Sequence, residues 1–522
     1  MSTAAVVARP AETVPLRRLI AFIAMVFGMF MAILDIQIVS ASLSEIKAGL
    51  SASTDEISWV QTSYLIAEVI MIPLSGFLSR MLSTRWMFVM SAAGFTAMSL
   101  MCAMSSSINE MIVWRALQGF LGGGMIPSVF SAAYTIFPRS KQHIISPVIG
   151  LVATLAPTIG PTIGGYLTDL FSWHWLFLVN IGPGIAVTIM TFFLIDFDQP
   201  HLELFNRFDW WGFLSMAGFL GSLEYVLEEG PTNDWFDDRA VAVLAVVAFV
   251  SGCVFFLRAL TRKDPIVDLY AFENRNFAAG CAFSFVMGIG LYGLTYLYPL
   301  YLAMVRGYSP LMIGETMFVS GLSMFAMAPV AGRLAKAFGP RVLMFAGTLG
   351  FATGTWMLTH ITKDWDFWEL ALPQVFRGVS LMICMVPVNN IALGTLPVDR
   401  LKNASGLYNL TRNLGGAVGL ATINTIFTSR TDLHFERLRE NVAWGRGAVD
   451  ETLAMLMQRH ADLAPDDARV AALSELAAMV RREAQVMAFA DVFLVLTVLF
   501  VAMAFAVPLV KPSRSSGGGG GH

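Results

Sequence analysis

The chain has 522 residues, of which 56% are hydrophobic and 14% charged, with a formal net charge of −3. Soluble domains carry about 25% charged residues, so this chain has too little polar surface to cover a globule of its size in water. The small net charge gives no field that would hold nucleic acid. The four cysteines lie in apolar runs, without the spacing of a disulfide framework or a zinc site. Composition therefore excludes a soluble enzyme and predicts no metal site.

Fourteen segments are long and apolar enough to cross a bilayer, whose core of about 30 Å needs about 20 apolar residues per helix. We number them spans 1 to 14, at residues 18–40, 57–79, 86–105, 109–131, 143–168, 174–195, 209–228, 238–259, 276–302, 310–336, 341–361, 366–393, 404–428 and 487–510. Arg17 and Arg18 precede span 1 as they would in a signal peptide. Asp35 lies where a cleavage site would fall, so we expect span 1 to remain uncleaved.

Lysine and arginine are unevenly divided between the two sets of short loops. Nineteen lie on the side of both termini, and four lie on the opposite side. Positively charged loops stay in the cytoplasm, so both termini are predicted to be cytoplasmic, which requires an even number of spans. The predicted organisation is a cytoplasmic tail (1–17), a six-helix bundle (18–195), two inserted helices with their loops (196–275), a second six-helix bundle (276–510) and a cytoplasmic tail (511–522).

Two loops of similar sequence indicate an internal repeat. GFLSRMLSTR after span 2 aligns without gaps with GRLAKAFGPR after span 10, at a shift of 256 residues. The matched positions are Gly76 with Gly332, Leu78 with Leu334, Arg80 with Lys336, and Arg85 with Arg341. The shift pairs spans 1–6 with spans 9–14 and leaves spans 7 and 8 as an insertion. Parallel repeats of this kind are typical of secondary transporters, whose substrate site lies between the halves.

Four further motifs carry a resemblance to a known family: LDIQIVSASLS (34–44), RALQG (115–119), APTIGPTIGG (156–165) and WHWLFLVNIGPG (173–184). With the loop motif they resemble the major facilitator superfamily, and within it the fourteen-helix drug:proton antiporters of the EmrB type, over essentially the whole chain. The loop departs from the family pattern, with Arg80 in place of the usual Asp and Ser83 in place of Gly.

The resemblance implies an all-α polytopic membrane protein with the major facilitator fold, built from two six-helix bundles plus two inserted helices. It implies a multidrug efflux antiporter of the bacterial inner membrane that exchanges protons for amphipathic drug-like compounds by alternating access. No cofactor is expected, because the proton gradient drives transport. The resemblance also implies a periplasmic adaptor and an outer-membrane exit duct as partners.

Ionisable residues within spans are functional candidates, because charge at membrane depth is costly. Asp35 and Arg115 lie about 8 to 9 Å below the outer ends of spans 1 and 4, given a rise of about 1.5 Å per residue, and the resemblance makes these spans neighbours. We predict that Asp35 is a proton site and Arg115 its partner; a permanent structural ion pair is the alternative. Glu68 and Glu315 are further proton-coupling candidates. Glu68 either faces the cavity or pairs with an unidentified residue, and Glu315 could instead snorkel to the interface.

The predicted substrate cavity takes polar residues from several spans: Gln118, Glu224, Tyr292, Tyr296, Arg377, Asn389 and Asn390. Spans 9 and 12 line the cavity in the superfamily, which the resemblance carries over to the Tyr and Asn residues. Arg377, in PQVFRGVS, resembles the RG motif of the second half, with structural pairing as the alternative. For Glu224, snorkelling to the interface is the preferred account. The 30 Met and 39 Phe fit either an adaptable drug site or plain lipid contact.

The motif in span 5 predicts a gate between the halves. Prolines remove backbone donors and glycines allow close approach, at Pro157, Gly160, Pro161, Gly164 and Gly165. Ordinary glycine-mediated helix packing is the alternative. Segment 429–486 is predicted to be external and to form two amphipathic helices, which serve as a lid or as the docking surface for the adaptor.

Three other functions are weighed against multidrug efflux. Two of them are also transport functions: export of one endogenous metabolite, and proton-coupled import. The span 5 motif argues against import. In a different class, a membrane-embedded enzyme would need a convergent cluster of catalytic groups. The histidines are instead scattered over separate loops.

Overall fold

The computed structural model describes residues 14–138, 141–262, 265–442, 446–460, 462 and 464–510, so the predicted tail 511–522 and residues 1–13 lie outside it. Throughout the described residues the chain forms helices and no β-strand. Helices suit a bilayer because they satisfy every backbone polar group internally. Of these helices, nine are long and apolar enough to cross a membrane. The all-helical fold is confirmed, and the count of fourteen spans stays a prediction.

The first half contains predicted spans 1–6. Its helices are α1 (Leu16–Ala41), α2 (Leu43–Leu50), α3 (Thr54–Ala103), α4 (Ile108–Gly122), α5 (Met125–Ile136), α6 (Gln142–Leu170), α7 (Trp175–Leu178) and α8 (Ile181–Leu194). Spans 2 and 3 both lie in α3, which turns at Ser83. Span 4 is divided between α4 and α5 at two glycines, Gly123 and Gly124.

Helices α9 (Trp210–Glu229) and α10 (Arg239–Thr261) contain spans 7 and 8, the predicted insertion. The end of α9 is bonded to both halves. Thr62 Oγ1 of α3 donates to Glu229 Oε1 at 3.1 Å, and Trp235 Nε1, just after α9, donates to Thr425 Oγ1 of the second half at 3.0 Å. By contrast, α10 exposes apolar side chains such as Phe249, as a lipid-facing helix does.

The second half contains α11 (Arg275–Met304), α12 (Pro310–Phe338), α13 (Pro340–Leu358), α14 (Phe367–Leu393), α15 (Leu401–Asn441), α16 (Gly447–Arg459) and α17 (Pro465–Ala506). Segment 429–486 was predicted to form two amphipathic helices, and it comprises the end of α15, the whole of α16 and the start of α17. Only α16 is separate, because no proline or glycine interrupts the chain where α15 and α17 extend beyond spans 13 and 14. Leu453 and Leu456 of α16 pack on Ala472 of α17.

The two halves repeat the same turn at the loops that the sequence aligns. Ser83 has φ 75° and ψ 157°, and Gly339 of the second loop has φ 79° and ψ 159°. The arginine that follows each turn makes the same kind of bond. Arg85 Nε donates to Phe192 O at 2.8 Å, and Arg341 Nε donates to Val510 O at 2.7 Å.

Candidate functional site

A buried polar cluster surrounds Asp35 in the middle of the first half. Neither Asp35 nor Arg115 is exposed, and Arg115 Nη1 lies 2.6 Å from Asp35 Oδ2. Gln118 Nε2 and Asn180 Nδ2 donate to the other carboxylate oxygen at 3.2 and 2.7 Å. Both amides also donate to Ser99 Oγ at 3.0 Å. We call Asp35, Ser99, Arg115, Gln118 and Asn180 the N-half cluster.

The N-half cluster brings together three residues that the sequence singled out, Asp35, Arg115 and Gln118. Asn180 is a partner that residue-level reasoning missed, although it is the Asn of the WHWLFLVNIGPG motif. Burial opposes the charge of Asp35, while the three donors favour the carboxylate. Arg115 also contacts α3. Its Nε donates to Val60 O at 3.2 Å, and its guanidinium lies 4.2 Å from the centre of the Tyr64 ring. Opposing influences therefore act on the charge of Asp35.

The residues just after Asp35 contact the predicted gate. Gly160 of α6 lies against Gln37, with the position of an added Cβ 3.4 Å from the Gln37 backbone carbonyl carbon, and the same position at Gly164 lies 2.8 Å from Ile38 O. On its other side α6 meets α12 of the second half, where Thr158 Oγ1 donates to Met324 Sδ at 3.9 Å. Helix α6, with its prolines, therefore lies between the Asp35 helix and the opposite half.

The second half has a corresponding arrangement, in which the order of two residues is reversed. R-x-x-Q-G (115–119) of α4 corresponds to Q-x-x-R-G (374–378) of α14. Gln374 Nε2 donates to Thr316 O at 2.9 Å, and Thr316 lies 256 residues after Val60, the residue that Arg115 contacts. Gly119 lies against Tyr64 and Gly378 against Ser320, again 256 residues apart. Gln374 therefore takes the position of Arg115, and Arg377 takes the position of Gln118.

No carboxylate accompanies Arg377 at the position that corresponds to Asp35, which is Leu291. Arg377 Nη2 donates to Thr295 Oγ1 at 2.6 Å and to Leu291 O at 3.4 Å, both uncharged. Thr355, the counterpart of Ser99, accepts a hydrogen bond from Thr497 of the last helix at 2.9 Å. We call Leu291, Thr355, Gln374, Arg377 and Thr497 the C-half cluster.

The other predicted proton-coupling acids do not join the N-half cluster. Glu68 is buried on α3, beside Gly123. Glu315 is exposed on α12. The preference for an interfacial, snorkelling Glu224 is wrong, because this side chain of α9 is only 6% exposed. Neighbouring helices cover it, and the sequence of α9 alone does not show which face they cover.

The predicted cavity residues of spans 9 and 12 have different hydrogen-bond partners and different exposure. Tyr292 donates to Asn413 Oδ1 at 3.4 Å, and Tyr296 is 36% exposed. Asn389 accepts from Tyr408. Asn390 Oδ1 accepts from Tyr134 at 3.2 Å and from Ser146 at 2.5 Å, both in the first half, so it joins the halves near the ends of α5 and α14.

The loop motif also joins the halves. An added Cβ at Gly76 would lie 2.8 Å from Lys402 O, and Lys402 Nζ donates to Asp198 Oδ2 at 2.6 Å. The same oxygen accepts from the Thr84 backbone and hydroxyl at 2.7 Å. Where the family has an acid at position 80, this chain has Arg80, and Asp198 brings a carboxylate to the loop from beyond α8. The side chain of Lys336, the counterpart of Arg80, lies outside what the structure describes.

Among the described residues no group of three His, Cys, Asp or Glu side chains could hold a metal ion. Residues 25–420 match the family described as Major Facilitator Superfamily. The chain is 42% identical over 484 residues to the colistin resistance protein EmrB of Acinetobacter baumannii, covering 93% of this chain and 94% of that protein. It is 30% identical over 506 residues to the multidrug export protein EmrB of Escherichia coli, covering 96% of each. The structure of the proton:xylose symporter XylE has the same fold, with a TM-score of 0.59 at 13% identity, covering 96% of this chain and 97% of that one.

Proposed function

The chain belongs to the major facilitator superfamily and is a transporter rather than an enzyme, and on that premise we propose that it is a proton-coupled antiporter that exports amphipathic toxic compounds. Its bacterial relatives and apolar helices identify it as a multi-pass inner-membrane protein. The observation that carries the proposal is the N-half cluster, in which a buried carboxylate is held by an arginine and two amides. Both termini are proposed to be cytoplasmic.

A proton on Asp35 would cancel its charge attraction to Arg115 and weaken the oxygen that accepts from Gln118 and Asn180. These donors come from α4 and from the residue before α8, so the charge of Asp35 affects how tightly α1 is held to them. Gln37 and Ile38, on the same helix, contact the glycines of α6. Protonation would therefore be transmitted to the helix that lies between the halves, which is what alternating access requires.

The test uses the purified full chain in proteoliposomes with an imposed pH gradient and a fluorescent lipophilic compound. Asp35→Asn keeps the shape of the side chain and removes its titration, so gradient-driven transport should fall to background. Exchange of the compound in the absence of a gradient should continue, because that step needs no net proton movement. Asp209→Asn is the matched control, since Asp209 is also paired with an arginine, Arg258 at 2.5 Å, but at the end of the inserted helices. Wild-type gradient-driven transport by Asp35→Asn would refute the proton role.

We further propose that segment 429–486 is the docking surface for a periplasmic adaptor, which would join an outer-membrane exit duct. The support is a groove of about 580 Å³ lined by Met304, Met455 and Met479, with Arg481 and Arg482 among its other residues. In the host, the full chain should co-purify with a membrane-fusion adaptor. A chain with residues 447–459 replaced by a short flexible linker should not, while its antiport in proteoliposomes persists. Equal recovery of the adaptor with both chains would place the docking surface elsewhere.

A further inference from the structure

The C-half cluster contains a buried positive charge for which the structure provides no acid. Arg377 is 1% exposed. Within the described residues its Nε and Nη1 have no hydrogen-bond partner. Burying a charge is costly unless it is paired, and Arg115, the arginine of the N-half cluster, is paired with Asp35 at 2.6 Å. The two clusters therefore differ by one negative charge.

Tyr298 adds a further unused donor beside Arg377. The Arg377 guanidinium lies 5.7 Å from the centre of the Tyr298 ring. The Tyr298 hydroxyl is also buried without a hydrogen-bond partner in the described part of the chain, as is Oε1 of Gln374. Buried polar groups are rarely left unbonded. Three donor atoms, two on Arg377 and one on Tyr298, are therefore unused, and only one acceptor atom, on Gln374, is unused beside them. Together with the positive charge of Arg377, this excess of donors suits a negatively charged acidic group.

We propose that Arg377 and Tyr298 bind the acidic group, a carboxylate or sulfonate, of an amphipathic substrate. This inference rests on the proposed export function and adds a substrate class to it, the amphipathic anions. Arginine suits the task because its planar fork of donors matches a carboxylate. Leu291, whose backbone Arg377 contacts, is buried and apolar, so an ion pair formed there is weakly screened, and the apolar part of the substrate has a suitable neighbour.

Binding to the purified full chain in detergent tests this inference without any gradient. The probes are 8-anilinonaphthalene-1-sulfonate, which stays anionic at every working pH, and tetraphenylphosphonium, a lipophilic cation. The quantity measured is the ratio of their two affinities. Arg377→Gln should lower the ratio of sulfonate to cation affinity by about tenfold to a hundredfold, the range for loss of a hydrogen bond to a charged group. Arg377→Lys, which keeps the charge, should restore most of it.

A second variant neutralises the same charge by pairing it. Leu291→Asp places a carboxylate at the position that corresponds to Asp35, so it should also lower the ratio while Arg377 is still present. Size-exclusion profiles and unfolding midpoints identify any variant that fails to fold, and the two designs perturb the fold differently. An unchanged ratio in folded Arg377→Gln, or an equal fall of both affinities, would overturn the inference and leave Arg377 a structural residue.

Chloride shares the chemistry of the proposed ligand and is separated from it by competition. If the site takes substrate acids, replacing gluconate with chloride should leave sulfonate binding within about twofold of its value. Loss of sulfonate binding in chloride, together with a chloride-dependent rise of the unfolding midpoint that Arg377→Gln abolishes, would assign the site to an inorganic anion and overturn the substrate role. If sulfonate binds as expected but a pH gradient drives no transport, the export proposal fails and the binding inference stands.

Discussion

The two halves of the molecule have the same helix framework but different buried charges. The N-half cluster contains Asp35 and Arg115 and is neutral as a pair, whereas the C-half cluster contains Arg377 alone. Arginine and glutamine occupy each other's positions in the two halves, and the backbone carbonyls that they contact correspond. The difference suggests that the halves divide the chemistry, with the proton held in the first half and an acidic substrate group in the second.

A second difference concerns the prolines of two helices, α6 and α15, whose glycines make similar contacts. Gly160 and Gly164 of α6 lie against α1, and Gly419 of α15 lies against α11 in the same way, with an added Cβ 2.9 Å from Ile289 Cα. Helix α6 contains three prolines, two of them in the gate motif, whereas α15 has none. Close packing is thus common to α6 and α15, whereas of these two helices only α6 has prolines at which it can bend.

The largest expected effect comes from removing the arginine of each cluster in turn. Arg115→Met leaves Asp35 buried without its partner, which should lower the free energy of unfolding by about 3 kcal/mol, as breaking a buried ion pair does. Arg377→Met removes an unpaired charge and keeps an apolar stem of similar length. It should leave stability within about 1 kcal/mol of wild type or raise it. Unfolding midpoints of both variants in the same detergent measure the contrast, and equal losses would contradict the difference in pairing between the two clusters.

The correspondence of the two halves and the Asp35–Arg115 pair could be predicted from the sequence, because both depend on the spacing of residues along the chain. The loop repeat at Gly76 and Gly332 fixed the pairing of the halves, and helical rise placed Asp35 and Arg115 at one depth, where the structure joins them. The reversed order of Gln374 and Arg377 was missed, because this motif is shifted by three residues relative to the loop repeat. The depth of a residue along its span does not reveal such a shift. The contacts of Gln374 with Thr316 and of Gly378 with Ser320 reveal it.

Other features depend on neighbours that a single sequence does not identify. Glu224 was assigned to the interface because it lies near the end of its span, yet packing buries it. Asp198 replaces the loop acid missing at Arg80, and only the folded chain shows that it reaches Thr84 and Lys402. Asn390 fits a cavity by its place on span 12, but its bonds to Tyr134 and Ser146 make it a contact between the halves.

The second prediction tests whether bending of α6 matters. Pro161 corresponds to Ala417 of α15 at the shift of 256 residues, so Pro161→Ala makes the first half resemble the second. The change restores a backbone donor and should stabilise the protein by about 1 to 2 kcal/mol, less than the roughly 3 kcal/mol of a soluble helix, because neighbours already satisfy part of the freed backbone. Transport in proteoliposomes should slow at least about fivefold if α6 must bend.

Pro147→Ala is the matched control for Pro161→Ala, since Pro147 lies in the same helix outside the gate motif. Transport by this variant should stay within about twofold of wild type, because Pro147 lies near the start of α6, away from Gly160 and Gly164, which pack on α1. If Pro161→Ala transports at the wild-type rate, the motif serves helix packing alone, and bending does not distinguish α6 from α15.

The smallest effect is expected at the repeated turn, where the halves differ by one residue. Ser83 and Gly339 share a backbone conformation that glycine adopts far more easily than other residues, with φ of 75° and 79°. Ser83→Gly should therefore raise the free energy of unfolding by about 1 kcal/mol, and Gly339→Ser should lower it by a similar amount. No atom lies within 4 Å of an added Cβ at Gly339, so the loss would reflect backbone strain rather than a clash. Shifts of opposite sign in the unfolding midpoint would establish that the two turns are equivalent, while a stabilising Gly339→Ser would mean that the second turn is not held in this conformation.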